Sequence, residues 1–182
     1  MKRFEINNYL WSDNGYEPKA WAELQLMGDK LYIKLTACEK DPCARFAYGP
    51  DAHVYWDSCL ECFLSFNGSP YYINLETNSI GGYYSAYRTG MDNCLIVDVF
   101  TEDGKPKPTV LDDMWYVEIT LDMAKVKALF GIEKIESLRG NFYKCGDETP
   151  LPHFGMWSVI ESSEPAFHKP EFFGDIDIAE IS

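Results

Sequence analysis

Two stretches near the middle of the chain alternate apolar and polar residues with the period of an extended strand, a pattern that only a β-sheet uses well. In Cys59-Leu60-Glu61-Cys62-Phe63-Leu64-Ser65-Phe66, the residues Leu60, Cys62, Leu64 and Phe66 share one face, and Cys59, Glu61, Phe63 and Ser65 share the other. Gly68-Ser69-Pro70 supplies a turn. Tyr71, Ile73, Leu75 and Thr77 then alternate with Tyr72, Asn74, Glu76 and Asn78. Paired as a hairpin, the two strands give one apolar face for a core. The opposite face carries carboxylates, amides and aromatics. Water-exposed strands more commonly carry Lys, Thr and Glu, so this second face reads as a binding surface, with Trp56 at the strand's start.

The remaining chain repeats the theme. Phe4, Ile6 and Leu10 mark a short first strand, and Ala20–Leu26 and Leu31–Ala37 flank a Gly28-Asp29 turn as a second hairpin. Residues 39–56, with Pro42, Gly49 and Pro50, form a long irregular segment of the kind that often carries function. Ser79-Ile80-Gly81-Gly82 bends the chain before a strand at Tyr83–Arg88. Cys94–Phe100 reads as a buried strand, Pro106 and Pro108 relegate the next run to an edge or loop, and Met114–Leu121 alternates again. A helix is signalled at 122–130, where Asp122 caps, Met123, Val126, Leu129 and Phe130 share a face, and Gly131 stops it. Arg139–Cys145 and Asp175–Ile178 read as further strands. The fold class that follows is all-β: a two-sheet antiparallel β-sandwich with one short helix, built as a single domain over residues 1–182. Trp21 and Trp115 are assigned to its core.

A formal net charge of −13 makes nucleic acid and anionic membrane surfaces poor partners. The N-terminal residues carry no apolar run of a secretory leader and no stretch is long enough to span a membrane, so a complete chain of this sequence is expected in the cytoplasm, and a trimmed secreted one would look the same. Oligomeric state leaves no mark in the sequence. Among the six cysteines, Cys59-x-x-Cys62 resembles half a zinc or redox motif. An odd spacing on a strand sends the two thiols to opposite faces, and Cys38 and Cys43 sit in a loop with loose spacing. The cysteines therefore read as free thiols that pack as small hydrophobes.

The blocks Asn141-Phe142-Tyr143-Lys144-Cys145-Gly146-Asp147, Pro152-His153-Phe154, Trp157-Ser158 and Pro165-Ala166-Phe167-His168-Lys169-Pro170-Glu171-Phe172-Phe173-Gly174 together resemble the C-terminal signature of family 9 carbohydrate-binding modules and their bacterial relatives. Asp57–Ser65 resembles that family's acidic strand, and Asn74–Gly81 the strand after it. The likeness covers roughly residues 20–178 in the family's order. It implies a non-catalytic sandwich that holds a sugar end between two tryptophans ringed by polar side chains, with calcium supporting the fold in some members. Carried over by motif, Trp56 and Trp157 are the platforms, Glu61 the acceptor for sugar hydroxyls and Arg88 the donor, with Asn78 as a further contact. The implied partner is a small carbohydrate.

Those residue types suit the ligand. Sugar rings expose weakly polar C–H faces that pack on aromatic rings, and rims of hydroxyls that pair with carboxylates, amides and arginine. Two other readings are retained. Glu61 and Glu76 on adjacent strands suggest a glycoside-acting enzyme, although nothing marks one as shielded and the other as exposed. The sandwich could also serve as an interaction domain that has lost the sugar site. His153 and His168 read as loop braces, without the motif of a metal or haem site. No catalytic residue, metal ligand or cofactor is assigned; calcium, which takes oxygen ligands, would fall to Asp147, Glu148 and Asp177.

Overall fold

The computed structural model describes residues 1–47, 53–91 and 93–182. Gly49 and Pro50 of the expected long loop lie outside the described residues. The strands are β1 (Lys2–Ile6), β2 (Ala20–Met27), β3 (Lys30–Ala37), β4 (Cys59–Phe66), β5 (Tyr72–Asn78), β6 (Tyr83–Thr89), β7 (Asn93–Ile96), β8 (Lys107–Val110), β9 (Trp115–Asp122), β10 (Leu138–Cys145), β11 (Phe154–Met156) and β12 (Gly174–Ile176). They form two antiparallel sheets, a five-stranded one ordered β1-β2-β3-β9-β8 and a seven-stranded one ordered β11-β10-β4-β5-β6-β7, with β12 also on β10. The protein is the all-β sandwich that its alternation requires.

The helix α1 (Met123–Phe130) ends where its sequence signals put it. Asp122 accepts from the amide of Ala124 at 2.9 Å, and Gly131 closes the helix in the left-handed region at φ 65°. Pro108 lies in β8, an edge strand of the first sheet. Three expectations are corrected. Cys94–Phe100 is not one buried strand: Asn93–Ile96 forms the edge strand β7, with Leu95 60 % exposed, whereas Val99 and Phe100 are buried and Phe100 bridges to Leu121 of the other sheet. The last strand stops at Ile176, because Asp177 caps the terminal turn α2 (Ile178–Ile181) through the Ala179 amide. Trp21 is half-buried on the outer face of β2, stacked under the Arg3 guanidinium at 3.8 Å and bonded to Glu23, whereas Trp115 is fully buried.

The sheets meet through Leu24, Ile33, Trp115 and Val117 on one side and Leu60, Cys62, Leu64, Ile73 and Phe142 on the other. A second apolar cluster lies on the opposite face of the second sheet. Phe63, Tyr72 and Tyr143 there pack against Met156, Ile160 and Phe173 of the C-terminal segment, with Phe167 and Phe172 alongside. That segment is irregular and covers part of a sheet face, so β4 and β5 are buried along their whole length. A strand covered on both sides keeps its polar residues out of water, and those residues must find partners within the protein.

One such group sits between the sheets. Lys144 is fully buried, and its Nζ donates to Glu39 Oε2 at 3.2 Å, to the Cys145 carbonyl at 3.0 Å and toward His153 Nε2 at 2.6 Å. Burial, then the neighbouring ammonium, holds His153 down to about 4, so the ring is neutral; its Nδ1–H donates to the Leu151 carbonyl at 2.8 Å and Nε2 accepts from Lys144. Burial alone would push the Glu39 carboxyl up. Lys144, with donors from Trp115 Nε1 at 3.0 Å and Ser58 Oγ at 3.0 Å, holds it below the usual range instead.

Candidate functional site

The uncovered part of that second sheet face is the floor of a cavity of 720 Å³, within the range of ~300–1,000 Å³ typical of small-ligand sites. Register places its groups. Glu61 on β4 lies directly across from Glu76 on β5 and from Tyr143 on β10, and Glu76 lies across from Tyr84 on β6. One row across four strands thus carries two carboxylates flanked by two phenols. Arg88 projects from the same face of β6, two pairs further along. Its Nε donates to the Gly90 carbonyl at 2.9 Å and its Nη2 to the Met91 carbonyl at 2.6 Å, which fixes the guanidinium at the cavity's edge.

Both carboxylates are nearly inaccessible, Glu61 at 3 % and Glu76 at 6 %. Burial, followed by the charge of Glu76, pushes the Glu61 carboxyl well above the ordinary range, and the nearby Arg88 only partly opposes this. Burial raises Glu76 to about 7, against a hydrogen bond from Asn74 Nδ2 at 3.1 Å and the attraction of Arg88. Asp147 also lines the cavity and is pushed up to about 6 by burial and by Glu148. Near neutral pH the floor therefore offers both protonated and ionised carboxyls, which suits ligands that donate and accept hydrogen bonds.

Aromatic rings form the walls. Tyr55, Tyr84, Phe154 and Phe167 line the cavity, with the exposed His53 at its mouth. Phe167 is backed by Tyr143, stacked at 4.1 Å and 15°, so its other side is turned to the cavity. His168 is held by Tyr72 Oη at 2.8 Å and stacks on Phe63 at 5.0 Å; burial, then Arg88, depresses it to about 3, so it is neutral. The strip 165–169 thus forms one rim, hung on the sheet by the Tyr143 hydroxyl bonded to the Phe167 carbonyl at 3.1 Å and by the Tyr72–His168 contact.

Of the residues singled out from sequence, Glu61 and Arg88 line this cavity. Trp56 stands behind its mouth, in the turn Val54–Trp56, with its ring stacked on His53 at 4.1 Å and 19°. Asn78 is fully buried and occupied elsewhere. Its Nδ2 donates to the Phe46 carbonyl at 2.7 Å and to Asp57 at 3.0 Å, and its Oδ1 accepts from Gly82 at 2.8 Å. It therefore pins the Ile80–Gly82 bend to the 39–47 loop and leaves no group for a ligand. Trp157 is not at the cavity. Its ring packs edge-on against Phe4 at 4.9 Å and against Phe142 at 5.5 Å, where β1 approaches β10, and it borders a different hollow. The two tryptophans therefore do not face each other across one ligand. Tyr55, Tyr84, Glu76, Asp147 and Phe167 line the site instead. Glu76 shared the polar face already read for β5, and Asp147 and Phe167 lay in the C-terminal blocks. Asp177 caps α2 away from Asp147, so the acids considered for calcium do not converge.

The fold is a two-sheet antiparallel β-sandwich that carries an aromatic-walled, carboxylate-floored cavity on one outer face. The chain belongs to carbohydrate-binding family 9, whose model matches residues 1–178. Solved structures agree in fold. A candidate carbohydrate-binding protein of Bacteroides uniformis superposes with a TM-score of 0.79 at 23% identity, over 96% of this chain and 85% of that one. A family 9 module of Caldicellulosiruptor kristjanssonii in complex with glucose superposes with a TM-score of 0.60 at 15% identity, over 93% of this chain and 84% of that one. The same organism's module with cellotriose gives 0.59 at 14% identity, over 94% and 80%. Curated protein sequences yield no significant match.

Proposed function

We propose that the protein is a non-catalytic receptor for a short saccharide or sugar end, held in the cavity over Glu61 and Glu76. The observation that carries this reading is the convergence of Glu61, Glu76 and Arg88 beneath a ring of aromatic walls in one cavity. The aromatic sides suit C–H ring faces, and the floor suits hydroxyls. Membership of the family, and the glucose and cellotriose held by the Caldicellulosiruptor kristjanssonii modules, support the same ligand class.

The carboxylate arrangement favours binding over hydrolysis. Glycoside cleavage uses one carboxyl on each side of the scissile bond, with environments that separate acid from base. Glu61 and Glu76 are cross-strand neighbours in one floor, and burial raises both. A ligand above them meets them from the same side.

Calorimetry with mono-, di- and trisaccharides, glucose and cellotriose among them, tests the proposal. Glu76→Gln removes a charge-assisted acceptor and is expected to weaken binding by roughly 10–100-fold, in line with ~1.5–3 kcal/mol for such bonds. Tyr84→Ala is expected to weaken it by about tenfold, and Trp157→Phe to leave it unchanged. Ligand-dependent tryptophan emission should fall in Trp56→Phe, because the Trp56 ring stacks on His53 at the mouth, and vanish when Trp11, packed on the cavity-lining Phe167, is replaced by Phe as well. A panel without measurable heat at millimolar saccharide overturns the reading.

A further inference from the structure

The cavity floor holds a second constellation, which shares Glu61 with the saccharide site and adds two thiols to it. Cys59 on β4 and Cys145 on β10 are directly opposite in register, and Glu61 follows Cys59 on the same face of β4. Cys145 Sγ lies 3.0 Å from Glu61 Oε1, and the two sulfurs and a carboxylate oxygen all fall within 4.8 Å of one another. All three residues are buried, at 0 %, 3 % and 1 % exposure for Cys59, Glu61 and Cys145. They come from two adjacent, fully paired strands inside the seven-stranded sheet, so their backbones are rigidly placed. Cys62, only three residues from Cys59, points the other way into the core between the sheets. The apparent half-motif in the sequence is therefore irrelevant, and the pairing partner of Cys59 lies more than eighty residues away.

We propose that Cys59, Cys145 and Glu61 form a binding site for a zinc-class divalent ion, with its fourth position open to the cavity. Two thiolates and a carboxylate are a donor set that Zn²⁺ accepts readily, and hard oxygen-seeking ions such as Ca²⁺ and Mg²⁺ do not. The size of the cluster suits four-coordinate geometry, in which Zn–S is ~2.3 Å and Zn–O ~2.0–2.2 Å. Glu61 and Cys145 line the cavity. A metal held here would therefore face it, with water, the Asp147 carboxylate or a ligand heteroatom in the remaining place. On loading, Zn²⁺ displaces the two thiol protons and the proton carried by the buried Glu61 carboxyl; all three leave to solvent, and two thiolates and a carboxylate remain on the metal. The tight placement of the thiols and acid needs no rearrangement of the sheet. The inference shares Glu61 with the saccharide reading, but its test uses the protein and a metal ion alone, so either can fail without the other.

The test uses the full chain, reduced and stripped with a chelator. Cobalt(II) is titrated as the spectroscopic probe, and zinc is then added to displace it. One equivalent of Co²⁺ is expected to give a sulfur-to-cobalt charge-transfer band and intense tetrahedral d–d bands, both abolished by zinc. The variant Cys38→Ser, Cys43→Ser, Cys94→Ser removes the exposed and half-buried thiols and is expected to keep both features. Cys59→Ser with Cys145→Ser is expected to lose the charge-transfer band, and Glu61→Gln to weaken Co²⁺ binding at least tenfold. Because the first variant leaves the buried cluster intact and alters only loop and edge thiols, it keeps the proposal falsifiable if the second fails to fold. The proposal is overturned if the first variant shows no sulfur-to-cobalt band, or if the band survives loss of Cys59 and Cys145.

Discussion

Lys144→Met is expected to destabilise the protein by about 3–5 kcal/mol, the usual effect of removing one partner from a buried ion pair. The methylenes would pack as before, but the Glu39 carboxylate would keep only its neutral donors, Trp115 Nε1, Ser58 Oγ and the Tyr16 hydroxyl, and His153 Nε2 would lose its donor. For a domain of this size the fall in Tm should be roughly 6–20 °C. The double variant Lys144→Met with Glu39→Gln removes both charges and should recover much of the loss. The difference between the double variant and the sum of the singles measures their coupling. Urea unfolding of the four proteins checks this; a single variant within ~1 kcal/mol of the parent would mean the pair does not stabilise the fold.

Acid should unfold the protein partly through His168. Its folded-state value is depressed to about 3 from an ordinary 6.5, by burial and by Arg88. The unfolded chain therefore takes the proton first. Its contribution is fully present above pH 6.5 and is lost as pH falls toward 3. At the bottom of that window the loss amounts to roughly 4–5 kcal/mol. His168→Asn retains a polar partner for the Tyr72 hydroxyl but does not titrate, so its stability should decline less between pH 7 and pH 4. Raised carboxyls such as Glu76 act in the opposite sense, losing their contribution as pH rises through about 7, but they are common to both proteins and cancel in the comparison. Parallel stability–pH curves would show that His168 is protonated in the folded state.

Much of the architecture was legible from period-two alternation, because each strand's inward face is set by its own residues. β2 to β5, β9 and β10 all follow it, and α1 is bounded by its own cap and glycine. What the sequence hid were contacts made by irregular chain. Glu61 looked like a surface acid because nothing local says that residues 157–173 lie over β4. Trp157 followed a motif resemblance, yet its ring packs against Phe4 and Phe142. The general tendency of tryptophan to be buried points Trp21 to the core, yet it lies on the outer side of a strand whose inward residues are Ala20, Ala22 and Leu24. Asn78 sat on the right face for a ligand, but the adjacent bend claims its amide. The meeting of Cys59 with Cys145 required the β4–β10 register, which no spacing in the sequence reveals.

The cavity is assembled from two kinds of chain. Its base is sheet, where any exchange disturbs cross-strand neighbours and the packing beneath. Its lip at 165–169 is aperiodic and is anchored through a few hydroxyl and carbonyl contacts. Both anchors stand on strands of the base, Tyr72 on the strand that carries Glu76 and Tyr143 directly opposite Glu61, so a change at either tyrosine displaces lip and base together.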